Sequence, residues 1–241
     1  MKLGYKILLL FLAASLLILI AVEVGLAPSM KSNRFATIAE DYQNQLKPID
    51  FALSTFFKDA ESDLRMLAAN EFVRSREDRD FTNFTEADEA IFQYAYGPLE
   101  RDIINLFSAY RETHDYVGSV YMGRENGSFV RSHKRAKPTQ YDPRTRPWYI
   151  LAQNNPGRVM RTEPYRSVTS PDINIGIVTA LVDEQGRVYG VVGMDITLND
   201  LTRYIDSVRV SRGGSCVLLD ENGTFLAARE AELRQSRIDT V

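Results

Sequence analysis

Nine consecutive residues, Tyr141-Asp142-Pro143-Arg144-Thr145-Arg146-Pro147-Trp148-Tyr149, hold the only Trp of the chain with two Arg, two Tyr and two Pro. Proline fixes φ and restricts the residue before it, so the stretch reads as a stiff loop. The loop carries guanidinium forks, an indole N–H and two phenols, all of them donors suited to a small carboxylate. A zwitterion needs more than donors, because its ammonium must meet an acceptor across the pocket. Asp195 fits that need: it follows the apolar run Val191-Val-Gly-Met194 and precedes Ile196, company in which a charge is rarely buried unpaired. Arg146 is the two-pronged carboxylate ligand of this reading, Trp148 and a Tyr hydroxyl add donors, and Tyr165 in Glu163-Pro-Tyr165 lines the space between. Each residue also has a plainer reading. Arg146 can pair with Asp142, Asp195 can cap the helix near Leu198 as Thr197 or Asn199 also could, and Tyr141 and Tyr149 can be core.

These residues must be held by elements that the pattern also suggests. Ile7 to Val22 is uncharged, and the apolar stretch continues to Ala27, about 20 residues, enough to span a ~30 Å hydrocarbon core. Lys2 and Lys6 precede it. The expected order is a cytoplasmic stretch 1–6, a membrane anchor 7–27 and everything later outside the cytoplasm. A cleaved signal peptide is the competing reading, weakened by Pro28 directly after Gly25-Leu26-Ala27. Ile38, Tyr42, Ile49, Leu53, Phe56, Ala60, Leu64 and Leu67 then recur at helical spacings, partly in a heptad rhythm. This suits a partner helix, and so a homodimer, or equally an amphipathic helix packed on its own domain, and both can hold along different turns. Pro48 is expected to bend this helix or open it. A second helix is expected from the Thr85/Asp88 cap signal through Phe107, kinked at Pro98.

From Tyr116 the period becomes that of strands. Val117–Met122 with Ser128–Val130, Ile175–Val182 with Val188–Met194, and Cys216–Leu219 with Thr224–Ala227 read as three hairpins around Gly-containing turns. Long helices ahead of antiparallel hairpins predict an α+β domain. Leu198–Val208 reads as a helix and Val210–Gly214 as a linker. The expected division is therefore a distal module at 33–208 and the beginning of a second at 209–241, which continues past Val241.

Composition narrows the function. The net charge of −3 carries no bulk basic field, which disfavours nucleic acid, and the local cluster Arg131, Lys134, Arg135, Lys137 reads as a solvated loop. Cys216 is alone, and His114 and His133 have no ligand spacing, so neither a metal nor another cofactor is expected.

The nonapeptide, Glu163-Pro-Tyr165 and Gly190-Val-Val-Gly-Met-Asp195-Ile together resemble the double-Cache sensor domain over roughly residues 33 to 241. This family serves bacterial chemoreceptors, sensor kinases and cyclic-di-nucleotide enzymes as an extracytoplasmic domain. The resemblance implies a long helix followed by a PAS-like antiparallel sheet flanked by helices, with the second module incomplete here. It implies a sensor in the bacterial inner membrane, facing the periplasm, that binds an amino acid and is not itself an enzyme. In the amino-acid branch the ligand motif falls on Tyr141, Arg146, Trp148, Tyr149 and Asp195, with Arg146 and Trp148 on the carboxylate and Asp195 on the amino group. Family members often have Tyr-x-Asp where this chain has Tyr165-Arg166-Ser167. Ser167 brings a hydroxyl without charge, which keeps amines and other small carboxylates open as ligands. An anchored interaction protein and an extracytoplasmic enzyme built on Asp142, Asp172, Asp183 and Asp195 are the readings from other classes.

Overall fold

Alternation along two ten-residue strands organises this chain. In the computed structural model, residues 3–168, 173–207 and 217–228 are described, with residues 230, 233 and 236–238. The chain divides into two units, Met1–Asp50 and Phe51–Val241. Helix α1 spans Leu3–Ala69. In the first unit it includes the window Gly4–Ala21, whose mean hydropathy of 2.3 and length suffice to cross a membrane. Pro48 lies inside this helix and opens no new one, as does Pro28. The apolar side chains Leu8, Phe11, Leu17 and Ile18 are exposed, as are Ile38 and Tyr42 further on.

The second unit continues with the short helix α2 (Glu71–Arg74) and α3 (Pro98–Thr113). The expected helix from Thr85 through Phe107 is corrected here: residues 85–97 are turns and irregular chain, and α3 starts at Pro98 itself. Pro98 sits at N1, where its missing N–H is no loss, and it starts the helix where a kink was expected. Upstream, Asn83 Oδ1 and Asp88 Oδ1 accept from the backbone N–H of Thr85 and Ala90, so these polar side chains close turns and do not cap a helix.

Strands β1 (Ser119–Arg124) and β2 (Phe129–Arg131) form the first hairpin, turned at Gly127 with φ 86°. After a 3₁₀ turn (Pro143–Thr145) come α4 (Pro147–Gln153), β3 (Val159–Arg161) and β4 (Tyr165–Arg166). Then β5 (Ile173–Val182) and β6 (Val188–Thr197) make the second hairpin, and α5 (Leu198–Ser207) follows. The third hairpin, β7 (Leu218–Leu219) and β8 (Phe225–Ala227), forms its own two-stranded sheet. Cys216, the 210–214 linker and Val208 lie outside the described residues. The main sheet is antiparallel in the order β2-β1-β6-β5-β3, with β4 also paired to β5. This is the α+β arrangement expected from the hairpins.

Side chains two apart share a face of a strand. Val120, Met122, Ile175, Ile177, Val192, Met194 and Ile196 share the main core with Phe56, Ala60, Leu64 and Leu67 of α1. Ile103, Phe107 and Tyr110 of α3 join them, at spacings that keep one stripe of that helix buried. The opposite face carries Tyr121, Phe129, Val178 and Val191 against Trp148, Tyr149 and Ala152 of α4 and Phe84 of the preceding loop. The residues expected to do chemistry belong to this second face.

Candidate ligand-binding site

Both prolines of the nonapeptide start helical turns. Pro143 begins the 3₁₀ turn and Pro147 begins α4, so the predicted loop is a turn followed by a helix that buries Trp148 and Tyr149. The reason is again that proline is well suited to a first helical position. Asp142 caps the turn, accepting from the Arg144 backbone N–H at 3.0 Å and from the Arg144 guanidinium at 2.8 and 2.9 Å. That fork, first of all, holds the Asp142 carboxyl below the usual range. The alternative pairing of Arg146 with Asp142 is thus taken by Arg144. Among the described residues Arg146 has no carboxylate partner; its guanidinium donates one long bond, 3.5 Å, to the Arg166 carbonyl oxygen.

Asp195 sits on β6, opposite Ser119 of β1 and Gly176 of β5. It is 8% exposed. Its Oδ1 accepts from the Tyr121 hydroxyl at 2.7 Å and the Tyr165 hydroxyl at 2.6 Å. Its Oδ2 accepts from Asn174 Nδ2 at 2.9 Å and more weakly from Ser119 Oγ at 3.4 Å. Burial pushes the Asp195 carboxyl up, and the hydroxyls of Tyr165 and Tyr121 and the charge of Arg131 pull it back. Burial, then the charge of Asp195, drives both phenols well above their ordinary range, so they remain donors. The helix-capping alternative for Asp195 falls to Thr197, whose hydroxyl accepts from the Asp200 N–H at 3.0 Å.

Two glycines make room for this arrangement. A Cβ at Gly193 would stand 2.9 Å from the Tyr121 ring and 2.8 Å from Val178, and one at Gly123 would stand 2.9 Å from the Trp148 ring. With neither present, Tyr121 lies on the sheet and Trp148 packs edge-on against it, centroids 4.8 Å apart.

One cavity of about 400 Å³, its open mouth included, joins the two halves. Tyr141, Arg146, Trp148, Tyr165, Ser167 and Asp195 line it. Tyr149 does not; it is buried behind Trp148 with centroids 5.6 Å apart. Ser119, Tyr121, Arg131, Arg135 and Asn174 line the cavity as well, and sequence reasoning missed them. The register of β1, β2, β5 and β6 gathers them: Tyr121 pairs with Arg131 and with Gly193, and Ser119 with Asp195. The available signal was polar residues at alternate strand positions, as in Ser119 and Tyr121. Arg135, assigned to a solvated loop, is buried instead, its guanidinium 4.4 Å from the Tyr141 ring centroid and 4.8 Å from that of Phe84. An aromatic clasp can hold a buried cation in this way. Among the described residues, no group of His, Cys, Asp and Glu is arranged to hold a metal ion.

The fold and site define a class: a PAS-like α+β sheet with helices packed on one face and a small, donor-rich pocket on the other. The family model of the Cache domain, of the dCache_1 type, matches residues 32–240, and the chain belongs to that family. It is similar to the methyl-accepting chemotaxis protein McpB of Bacillus subtilis, 33% identical over 128 residues, 53% of this chain and 19% of that protein. The match thus spans less than a quarter of that relative's length. Two solved structures are similar in fold. One is the ligand-binding domain of the Pseudomonas fluorescens chemoreceptor CtaA in complex with L-serine, with TM-score 0.60 and 21% identity, covering 84% of this chain and 78% of that one. The other is the ligand-binding domain of the Campylobacter jejuni chemoreceptor Tlp3 in complex with 4-methylisoleucine, with TM-score 0.59 and 21% identity, covering 83% and 74%.

Proposed function

We propose that this chain is the sensing part of a membrane signal-transduction receptor and that it binds a small amino-acid-type ligand in the pocket between Arg146 and Asp195. The observation that carries this reading is the polarity of one cavity. Guanidinium and indole donors stand on the α4 side, and a framed carboxylate stands on the β6 side. Tyr141, Arg146 and Trp148 take the ligand carboxylate. Asp195, with Tyr165 and Ser167 beside it, faces the amino group. Tyr149 supports Trp148 from behind. The names of the relatives, methyl-accepting chemotaxis proteins and amino-acid complexes of chemoreceptor domains, support the assignment to sensing.

The apolar window at Gly4–Ala21 serves as a membrane anchor in this reading, residues 1–6 stay in the cytoplasm, and the sheet lies in the periplasm. Residues 33–208 form the ligand-binding module, and residues 209–241 begin a membrane-proximal one. The exposed Ile38 and Tyr42 suit a partner helix in a homodimer. No covalent step is involved: the ligand has only to bind one signalling state better than the other.

The test is the thermal stability of the full chain in lipid nanodiscs, measured with a panel of amino acids and small amines. A ligand-dependent rise in Tm is expected, and Arg146→Ala should remove it, since a charge-assisted bond contributes roughly 1.5–3 kcal/mol. A complete panel without any shift would sink the proposal.

A further inference from the structure

The charges lining the pocket do not balance for a ligand with a single carboxylate. Arg131, Arg135 and Arg146 all line it, and among the described residues Asp195 is the one acidic side chain in its wall. Asp195 is already engaged, because its two oxygens accept from Tyr121, Tyr165, Asn174 and Ser119. An ionised carboxylate has about four acceptor sites, so beyond the charge it shares with Arg131 it has little left to offer Arg135 and Arg146. Among the described residues neither Arg135 nor Arg146 forms an ion pair. Arg135 donates through Nη1 to the Thr139 carbonyl oxygen at 3.2 Å, while its Nη2 is buried without a partner. It stands in the partition between this cavity and a smaller one lined by Glu100 and His133, and Glu100 makes no ion pair with it. Only 5% exposed, Arg135 has lost most of its water, which an anion would repay.

A second buried atom is also unmatched. Asn174 is 6% exposed and gives its amide N–H to Asp195. That bond fixes which end of the amide is which, because a carboxylate only accepts. The other end, Asn174 Oδ1, is therefore an acceptor, and it has no partner. An acceptor at the Asp195 end of the cavity calls for an N–H donor. The guanidinium groups call for more than one negative charge.

We propose that the pocket takes a short amino dicarboxylic acid of the size of aspartate or glutamate. One carboxylate sits on Arg146, the second faces Arg135 and Arg131, and the ammonium lies against Asn174 Oδ1 beside Asp195. This rests on the sensing reading above and narrows its ligand.

Titration calorimetry of the full chain in nanodiscs tests it with L-aspartate, L-glutamate, L-alanine, L-serine and succinate. L-aspartate or L-glutamate should bind at least about tenfold more tightly than L-alanine and L-serine, as one further charge-assisted contact implies. Succinate, which lacks the ammonium, should bind more weakly than L-aspartate. Arg135→Gln should reduce the preference over L-alanine to below about threefold, and Arg135→Lys should retain most of it. Equal binding of neutral and acidic amino acids by the wild-type chain would overturn this inference and leave the sensing reading standing. No binding by any of the five would overturn it and count against the sensing reading too. Succinate binding as tightly as L-aspartate would overturn the role of Asn174. An unchanged preference in a folded Arg135→Gln protein would overturn that of Arg135. The wild-type comparison alone decides the ligand class if that variant fails to fold.

Discussion

The two faces of strand β6 are one residue apart in sequence and opposite in chemistry. Val192, Met194 and Ile196 point into the helical core and are fully buried among apolar side chains. Val191, Gly193 and Asp195 point the other way, where a glycine leaves space for Tyr121 and a carboxylate collects four donors. The core face is continuous apolar packing, in which any lost atom leaves a void. The pocket face keeps a cavity and pays for its buried charge with specific hydrogen bonds. Stability and recognition are therefore assigned to alternate residues of the same strand.

Substitutions on adjacent residues can break that comparison. Met194→Ala should have the largest effect, a loss of about 2–5 kcal/mol of stability, because the core cannot collapse onto the missing side chain. Denaturant unfolding measures it. Ligand affinity of the remaining folded protein should hardly change; a large affinity loss would show that the two faces are not separable. Tyr121→Phe comes next, at roughly 1.5–3 kcal/mol, since it deletes one hydroxyl from a buried carboxylate. The same change should push the Asp195 carboxyl further up, because that hydroxyl is one of the groups holding it down. Ligand affinity should then fall off from a higher pH on acidification than in wild type, as calorimetry across a pH series would record.

The smallest effect belongs to His133, at the sheet edge in the smaller cavity. Burial, then the charges of Arg131 and Arg111, lowers its pKa from 6.5 to about 4. The unfolded chain therefore takes up this proton first. The stability His133 contributes is complete above about pH 6.5 and is lost as the pH falls toward about 4. His133→Gln should flatten the decline of Tm between those limits. A decline as steep in the variant as in wild type would assign it to other groups.

The sequence was most legible where signals were local and periodic. The hairpin turns at Gly127, Gly186 and Gly223 all have positive φ, the conformation that favours glycine, and the strands beside them alternate or run apolar. Six of the seven residues expected at the site line one cavity, since the nonapeptide is compact and Asp195 is conspicuous in an apolar strand. What stayed illegible depended on position within an element or on register. Pro98 reads as a kink and Pro147 as part of a stiff loop, although each starts a helix. Strands β3 and β4, only three and two residues long, are too short to carry a period. Tyr121, Arg131 and Asn174 lie on three different strands, and only the pairing of those strands makes them neighbours. Arg135 was read from the charges around it, whereas the rings of Phe84 and Tyr141 determine its place.

The pairing of β6 also has a mechanical consequence. The strand is hydrogen-bonded to β1 on one side and β5 on the other, and Asp195 lies inside both ladders. Displacing its backbone means shearing a sheet, and four side-chain donors hold its carboxylate. Arg146, across the cavity, is the N-cap of a short helix, and among the described residues its guanidinium donates one long bond, to the Arg166 carbonyl oxygen. The pocket is thus built like a vice whose firm jaw is the sheet and whose other jaw ends in one long, lightly tethered side chain.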